Sequence, residues 1–211
     1  MKKILVHNLI ILDASGSMSS MYDATLNGFN GFLKNIKATA AEFPEQEHRV
    51  SFVSFNTYGI TYISENVKPD GVPTLSQVNY RPNGGTPLHD AIGTAANRLR
   101  VKTEYFPETK VLVSIFTDGY ENASVAYSAK SIRELIVRLE QKGWTFTYLG
   151  TDHDVTAVTN DLDIKNTMSF HKSQHGLNVM FDEELKRRKR YYSDLNCGRQ
   201  NRTGKYFEDG E

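Results

Sequence analysis

Three short segments carry oxygen-bearing side chains that could act together: Asp13-Ala14-Ser15-Gly16-Ser17, Gly84-Gly85-Thr86-Pro87 and Thr117-Asp118-Gly119. Taken singly, each reads as ordinary structure. Ser15, Ser17 or Ser19 could cap a helix, Thr86 could cap another, and Asp118-Gly119 could be a turn. Taken together they offer two carboxylates, Asp13 and Asp118, and three hydroxyls, Ser15, Ser17 and Thr86, without nitrogen or sulfur. The two-residue spacing of Asp13, Ser15 and Ser17 would aim their oxygens the same way along an extended loop. Hard oxygen donors with few carboxylates suit Mg²⁺, or Mn²⁺ in the same geometry, and do not suit zinc. Three neutral hydroxyls would leave much of the ion's charge uncancelled, so it could still accept an external carboxylate. A helix starting beside Ser17 would favour an anion further.

Other chemistries find less support. There is no phosphate-binding loop and no G-x-G-x-x-G, and Ser17 lacks the first glycine of a nucleophile elbow. No nucleophile stands with an evident base, so no enzyme activity is expected. A Mg²⁺-dependent phosphohydrolase is the enzymatic alternative, but it lacks a positioned base and a phosphate-holding Lys or Arg near the motif. Asp152-His153-Asp154 reads as a polar loop opening a helix, and His171 and His175 straddle a strand-to-loop boundary. His89 should lie near the rim of the oxygen cluster, in packing or partner contact. Met18, Met21, Tyr22 and Tyr120 flank the cluster as core or as an apolar rim.

The dense charge run Lys186-Arg187-Arg188-Lys189-Arg190 is a further candidate, for nucleic acid or an acidic partner. Five successive residues encircle a helix, however, and Asp182, Glu183 and Glu184 stand four residues before Lys186, Arg187 and Arg188. A solvated helix is the preferred reading, and nucleic-acid binding is not expected.

The elements that must position these residues follow from apolar spacing. Leu9–Leu12 is a continuous apolar run suited to a central strand buried on both faces, and Val111–Phe116, with Ser114 within it, is the second central strand. Leu26, Phe29, Leu33, Ile36, Ala40 and Phe43 mark one face of a long helix. Val50–Phe55 and Ile60–Ser64 flank a turn containing Gly59. Leu88, Ile92, Ala95 and Leu99 make a second helix opened by Thr86-Pro87, and Ile132, Leu135, Ile136 and Leu139 a third, ended by Gly143. Trp144–Leu149 and Thr167–Phe170 are further strands, and a helix runs from about Leu177 to Tyr192. Strands alternating with helices predict an α/β sheet, parallel except at the hairpin. In such sheets ligands lie beyond the carboxyl ends of the central strands, where two of the three segments fall.

The set DASGS, GGTP and TDG, in this order and on these elements, resembles the von Willebrand factor A (vWA) domain with its metal-ion-dependent adhesion site. The pattern D-x-S-x-S, a later Thr and a later Asp is filled by Asp13, Ser15, Ser17, Thr86 and Asp118. The resemblance spans roughly residues 5 to 170 and is greatest to compact bacterial vWA proteins of the tellurite-resistance type. It implies a Rossmann-like, three-layer fold. Its central sheet is six-stranded and mostly parallel, in the order 3-2-1-4-5-6 with strand 3 antiparallel, and has helices on both faces. It also implies that Ser15 and Ser17 bind the ion directly, Thr86 directly or through water, and the two Asp residues largely through water. A partner protein's Asp or Glu would complete the coordination. Rim residues from the Met18–Tyr22, Asn56–Tyr58 and Tyr120–Asn122 loops would set specificity.

Composition is compatible with this. With 211 residues the chain is long enough to bury roughly 70% of its unfolded surface. Twenty-five basic and 25 acidic residues cancel, which argues against a dedicated polyanion binder. The single cysteine, Cys197, cannot close a disulfide within the chain, and the apolar run near the N-terminus is broken by His7, Asn8 and Asp13. A cytoplasmic protein without membrane association is expected, organised as a vWA domain (1–175), a basic helix (176–192) and a polar tail (193–211). The oligomeric state is left open.

Overall fold

A computed structural model describes residues 3–106, 108–151, 155–199 and 206–208. Its strands are β1 (Ile4–Asp13), β2 (Gln46–Asn56), β3 (Gly59–Val67), β4 (Lys110–Thr117), β5 (Trp144–Gly150) and β6 (Asn166–Ser169). Its α-helices are α1 (Tyr22–Ala41), α2 (Leu88–Thr103), α3 (Ala129–Glu140), α4 (Val155–Leu162) and α5 (Gln174–Asn196). The six strands form one sheet in the order β3-β2-β1-β4-β5-β6. Every neighbouring pair is parallel except β2 and β3. Those two form a hairpin whose turn is closed by Gly59 at φ +136°, a conformation that glycine adopts without strain.

The apolar runs occupy the centre of the sheet because both of its faces are covered. Alternate residues serve opposite layers. Leu9, Ile11, Val111, Val113 and Ile115 pack with α2, α3 and α4, whereas Ile10, Leu12, Phe52 and Phe116 pack with α1 and α5. Helix α3 starts at a capping box in which Ser128 accepts from the Ser131 amide, and it buries Ile132, Leu135, Ile136 and Leu139, as their spacing predicts.

The first helix departs from its predicted pattern. Residues Gly16–Met21 wind as a 3-10 turn and α1 begins only at Tyr22. Its buried stripe is Thr25, Phe29, Phe32, Ile36 and Thr39, with Leu26 and Leu33 half-buried and Phe43 beyond the helix end. The stripe is rotated because α1 serves two neighbours, the sheet and α5. The Phe29 and Phe32 rings lie 5.0 and 5.4 Å from that of Phe181, and Gly28 leaves the room that Phe181 needs.

Helix α5 begins earlier and ends later than its apolar residues suggest, and it corrects the expectation of a solvated basic run. Arg188 and Glu184 are both fully buried. Arg188 Nη2 lies 2.5 Å from Glu184 Oε1 and donates to Ser114 Oγ at 2.8 Å, while Nη1 donates to Asn8 Oδ1. Tyr192 OH donates to the same Asn8 oxygen at 2.7 Å. The tail is not wholly polar surface either, since Tyr206 is buried against Tyr191. The rest of the run remains exposed or surface-paired, with Arg187 on Glu183 and Lys189 on Glu42. Among the described residues no helix is long and apolar enough to cross a membrane.

Two predictions follow from the buried polar groups. Arg188→Ala leaves Glu184 desolvated without its partner, and should lower the unfolding free energy in urea by about 3–5 kcal/mol. Replacing both residues, as Glu184→Leu with Arg188→Met, should recover most of that loss. Burial pushes His7 down to about 3, helped by the positive charges of Lys102 and Arg49, and burial likewise pushes His48 to about 4. Both rings are therefore neutral in the fold but take up protons near pH 6.5 when unfolded. Their stabilisation is complete above that pH and drains away as pH falls toward 4 and 3. His7 alone should cost about 3 kcal/mol by pH 4. Urea midpoints should fall over this window, and His7→Gln should flatten the fall.

Candidate metal centre

Strands β1 and β4 lie side by side with Leu12 opposite Phe116, so the residues that follow them emerge together at the carboxyl end of the sheet. There Asp13 is completely buried. Its Oδ2 accepts from Thr117 Oγ1 at 2.6 Å and its Oδ1 from the Ser15 amide at 2.7 Å. Burial raises its carboxyl to about 6; the hydrogen bonds from Thr117 and Ser15 oppose the rise, and the charge of Asp118 adds to it.

From Asp13 the contacts continue outward. Ser15 Oγ lies 3.0 Å from Ser17 Oγ, and Ser17 Oγ donates to Asp118 Oδ1 at 2.5 Å. Four of the five predicted residues are thus joined in one hydrogen-bonded chain. Thr86 approaches from the other side. A Cβ on Gly119 would lie 3.6 Å from Thr86 Oγ1 and 3.7 Å from Ser17 Oγ, so both hydroxyls border the space that this glycine leaves open.

The cluster already attracts a cation of the chain's own. Lys172, in the segment between β6 and α5, places Nζ 2.5 Å from Asp118 Oδ2 and donates to the Ser17 carbonyl at 3.1 Å. An all-oxygen donor set, a gap kept free by glycine and an ammonium drawn to its edge fit a small, hard divalent ion. Among the described residues no three His, Cys, Asp or Glu side chains gather as metal ligands. Hydroxyls would therefore have to share the coordination.

The structure corrects some expectations and decides between alternatives in others. The Asp13–Ser17 segment is not extended throughout: Ser15 is, but Ser17 lies within the 3-10 turn, and α1 itself begins only at Tyr22. Thr86 does not cap α2, whose N-cap position is Pro87. The glycine-bearing loop is held on three sides. Gly16 N donates to Gly84 O, Gly85 N to Thr57 Oγ1, and Thr86 N to Asn122 Oδ1, with Asn122 N returning a bond to Thr86 O. Gly84, at φ +72°, sits where a Cβ would overlap Thr57. Met18 and Met21 point into the core, leaving Tyr58 and Tyr120 as the exposed aromatics beside the cluster. His89 faces Glu121, with Nδ1 3.6 Å from Oε2. Asp152-His153-Asp154 lies outside the described residues.

Sequence reasoning assigned no role to Thr117, Tyr80 or Lys172, and placed Asn122 only among the rim residues. Tyr80 donates from its hydroxyl to the Asp13 carbonyl at 2.9 Å and pins the long 68–85 connection over the site. Thr117 was visible within TDG; the other three belong to no motif.

Comparison with known proteins agrees with this architecture. A search of curated proteins returns no match. Among solved structures, proximal thread matrix protein 1 from the mussel byssus is similar at TM-score 0.61 and 15% identity, over 90% of this chain and 47% of that one. A von Willebrand factor type A protein from Catenulispora acidiphila is similar at TM-score 0.61 and 15% identity, over 88% of this chain and 42% of that one. The chain thus spans less than half the length of either. Manganese-loaded TRAP protein from Plasmodium vivax is similar at TM-score 0.57 and 14% identity, over 85% of this chain and 73% of that one. The family profile of the von Willebrand factor type A domain matches residues 9–184. The six-stranded order with its single antiparallel edge, and a family match covering most of the chain, make this protein a member of the von Willebrand factor type A domain family.

Proposed function

We propose that the chain is a metal-dependent protein-binding module in which Asp13, Ser15, Ser17, Thr86 and Asp118 hold one Mg²⁺ or Mn²⁺. The observation that carries this reading is the continuous chain of contacts from Asp13 through Ser15 and Ser17 to Asp118, with Thr86 facing the same glycine-lined gap. The bound ion would supply an electrophilic position for an Asp or Glu of a partner protein. A similar fold, TRAP protein from Plasmodium vivax, has been solved loaded with manganese, which supports a divalent cation here.

The chain's own residues divide the work by depth. Asp13 stays buried and orients Ser15 through its amide. Ser17 and Asp118 lie further out, where Ser17 is exposed. Around them Tyr58 and Tyr120 offer exposed rings that can cover a partner. A groove of about 280 Å³ beside the site, lined in part by Asn56, Tyr58, Val78 and Arg81, offers further contacts. Cys197 is free and exposed, which suits a reducing, cytoplasmic setting.

Two measurements test this reading. Calorimetric titration should show one Mg²⁺ or Mn²⁺ bound per chain, and Asp13→Ala should abolish it. At tenfold excess over Kd the metal should add about 1.4 kcal/mol to stability, lost on adding EDTA. Equal binding by wild type and Asp13→Ala would sink the assignment. Affinity capture from the native cell should yield a partner that chelator releases, and Thr86→Ala should weaken that capture by about 1–3 kcal/mol. Ser19→Ala, an exposed neighbouring hydroxyl outside the cluster, should capture the partner as wild type does.

A further inference from the structure

Lys172 has no place in the motif that defines the site, yet its ammonium is seated against it. Nζ bridges two elements that the motif itself supplies: the Asp118 carboxylate at the end of β4 and the Ser17 carbonyl in the 3-10 turn after β1. The Asp118 side chain is fully buried beneath this contact, whereas Lys172 remains 30% exposed on a flexible four-carbon stem. The ammonium can therefore reach the carboxylate or swing into water, while the carboxylate cannot leave. With each Asp13 oxygen already accepting one bond, from Thr117 or from the Ser15 amide, Asp118 is the outer of the two negative charges of the site, and Lys172 already answers it.

We propose that Lys172 is a built-in competitor for the cation at this site, an ammonium that a divalent ion must drive off Asp118 in order to bind. The inference rests on the metal-binding reading above and concerns its regulation. A divalent ion entering the hydroxyl cluster brings its positive charge beside the ammonium, and the two compete for one carboxylate whether or not they occupy the same point. The tethered charge keeps Asp118 neutralised when metal is scarce, and sets a threshold of metal concentration below which the binding face stays closed to an acidic partner. Released from Asp118, Lys172 also gives up its bond to the Ser17 carbonyl, which the Ser20 hydroxyl still reaches, and loosens the tie between the β6–α5 segment and the 3-10 turn.

The test is titration of the full chain with Mn²⁺ alone and with Mg²⁺ alone, by calorimetry and by melting. Lys172→Met, which keeps the apolar stem and removes the charge, should bind Mn²⁺ at least tenfold more tightly than wild type, equivalent to about 1.4 kcal/mol. Its melting temperature should rise more on adding metal. Lys172→Arg, which keeps the charge, should bind metal as wild type does and serves as the control for damage to the fold. Equal or weaker metal binding by Lys172→Met, beside a wild type that does bind, would overturn the role of Lys172 and leave the metal centre standing. No binding by wild type, Lys172→Met or Lys172→Arg would overturn the metal centre and this inference with it.

Discussion

A carboxylate buried completely between two strands is expensive unless its lone pairs are filled, and Asp13 sets that condition for everything at this end of the sheet. Thr117 fills one oxygen, which ties the end of β4 to the end of β1. The Ser15 amide fills the other, which turns the chain sharply after β1 and sends Ser17 toward Asp118. The Asp13 carbonyl in turn holds the Tyr80 hydroxyl, and with it the long connection that delivers Gly84, Gly85 and Thr86. Three segments far apart in sequence thus converge because one acidic side chain and its own carbonyl need partners.

The same seam between β1 and β4 is polar at a second depth. Asn8 and Ser114 lie buried in its middle, and Arg188 answers both while paired with Glu184. This pair is costly to break, since either partner alone would be a bare charge in the interior. It fastens α5 along the sheet, and Phe181 packed against Phe29 and Phe32 fastens the helix again nearer its start. A helix fixed at both places leaves its leading segment little freedom, and that segment carries Lys172 to Asp118. The core pair and the surface lysine are therefore two ends of one positional argument.

How much of this was legible follows from where the information lies. The central strands could be read because a strand buried on both faces must be largely apolar, and the five candidate residues could be picked out because their spacing and order stand in the sequence. The burial of Arg188 could not. Glutamate four residues before arginine looks the same on a wet helix as in a core; what differs is the presence of Asn8 and Ser114, which lie in distant strands. The nearest clue was Asn8 itself, a polar break in an otherwise apolar strand that needed a partner. The late start of α1 was hidden for a similar reason, because the serines after Asp13 satisfy helix-cap preferences while their hydroxyls are engaged in the cluster. Lys172 left no local trace, since only the return of β6 to the sheet edge brings it near.

The arrangement orients groups rather than activating one. Ser17 spends its hydroxyl on Asp118, Ser15 lies against Ser17, and His89, the histidine nearest in sequence to the Thr86 segment, is turned to Glu121. Against the rise that burial imposes, the Ser124 hydroxyl and the amides of His89, Ala123 and Ser124 all donate to Glu121 and hold its carboxyl below the usual range. Its charge is thereby committed to shaping the loop after β4. Because the loops around the cluster are bonded to one another before any partner arrives, docking would order little additional backbone and lose correspondingly little entropy. Under the proposed function, discrimination among partners would fall to the charge at the centre and to the few exposed side chains around it, Tyr58 and Tyr120 foremost.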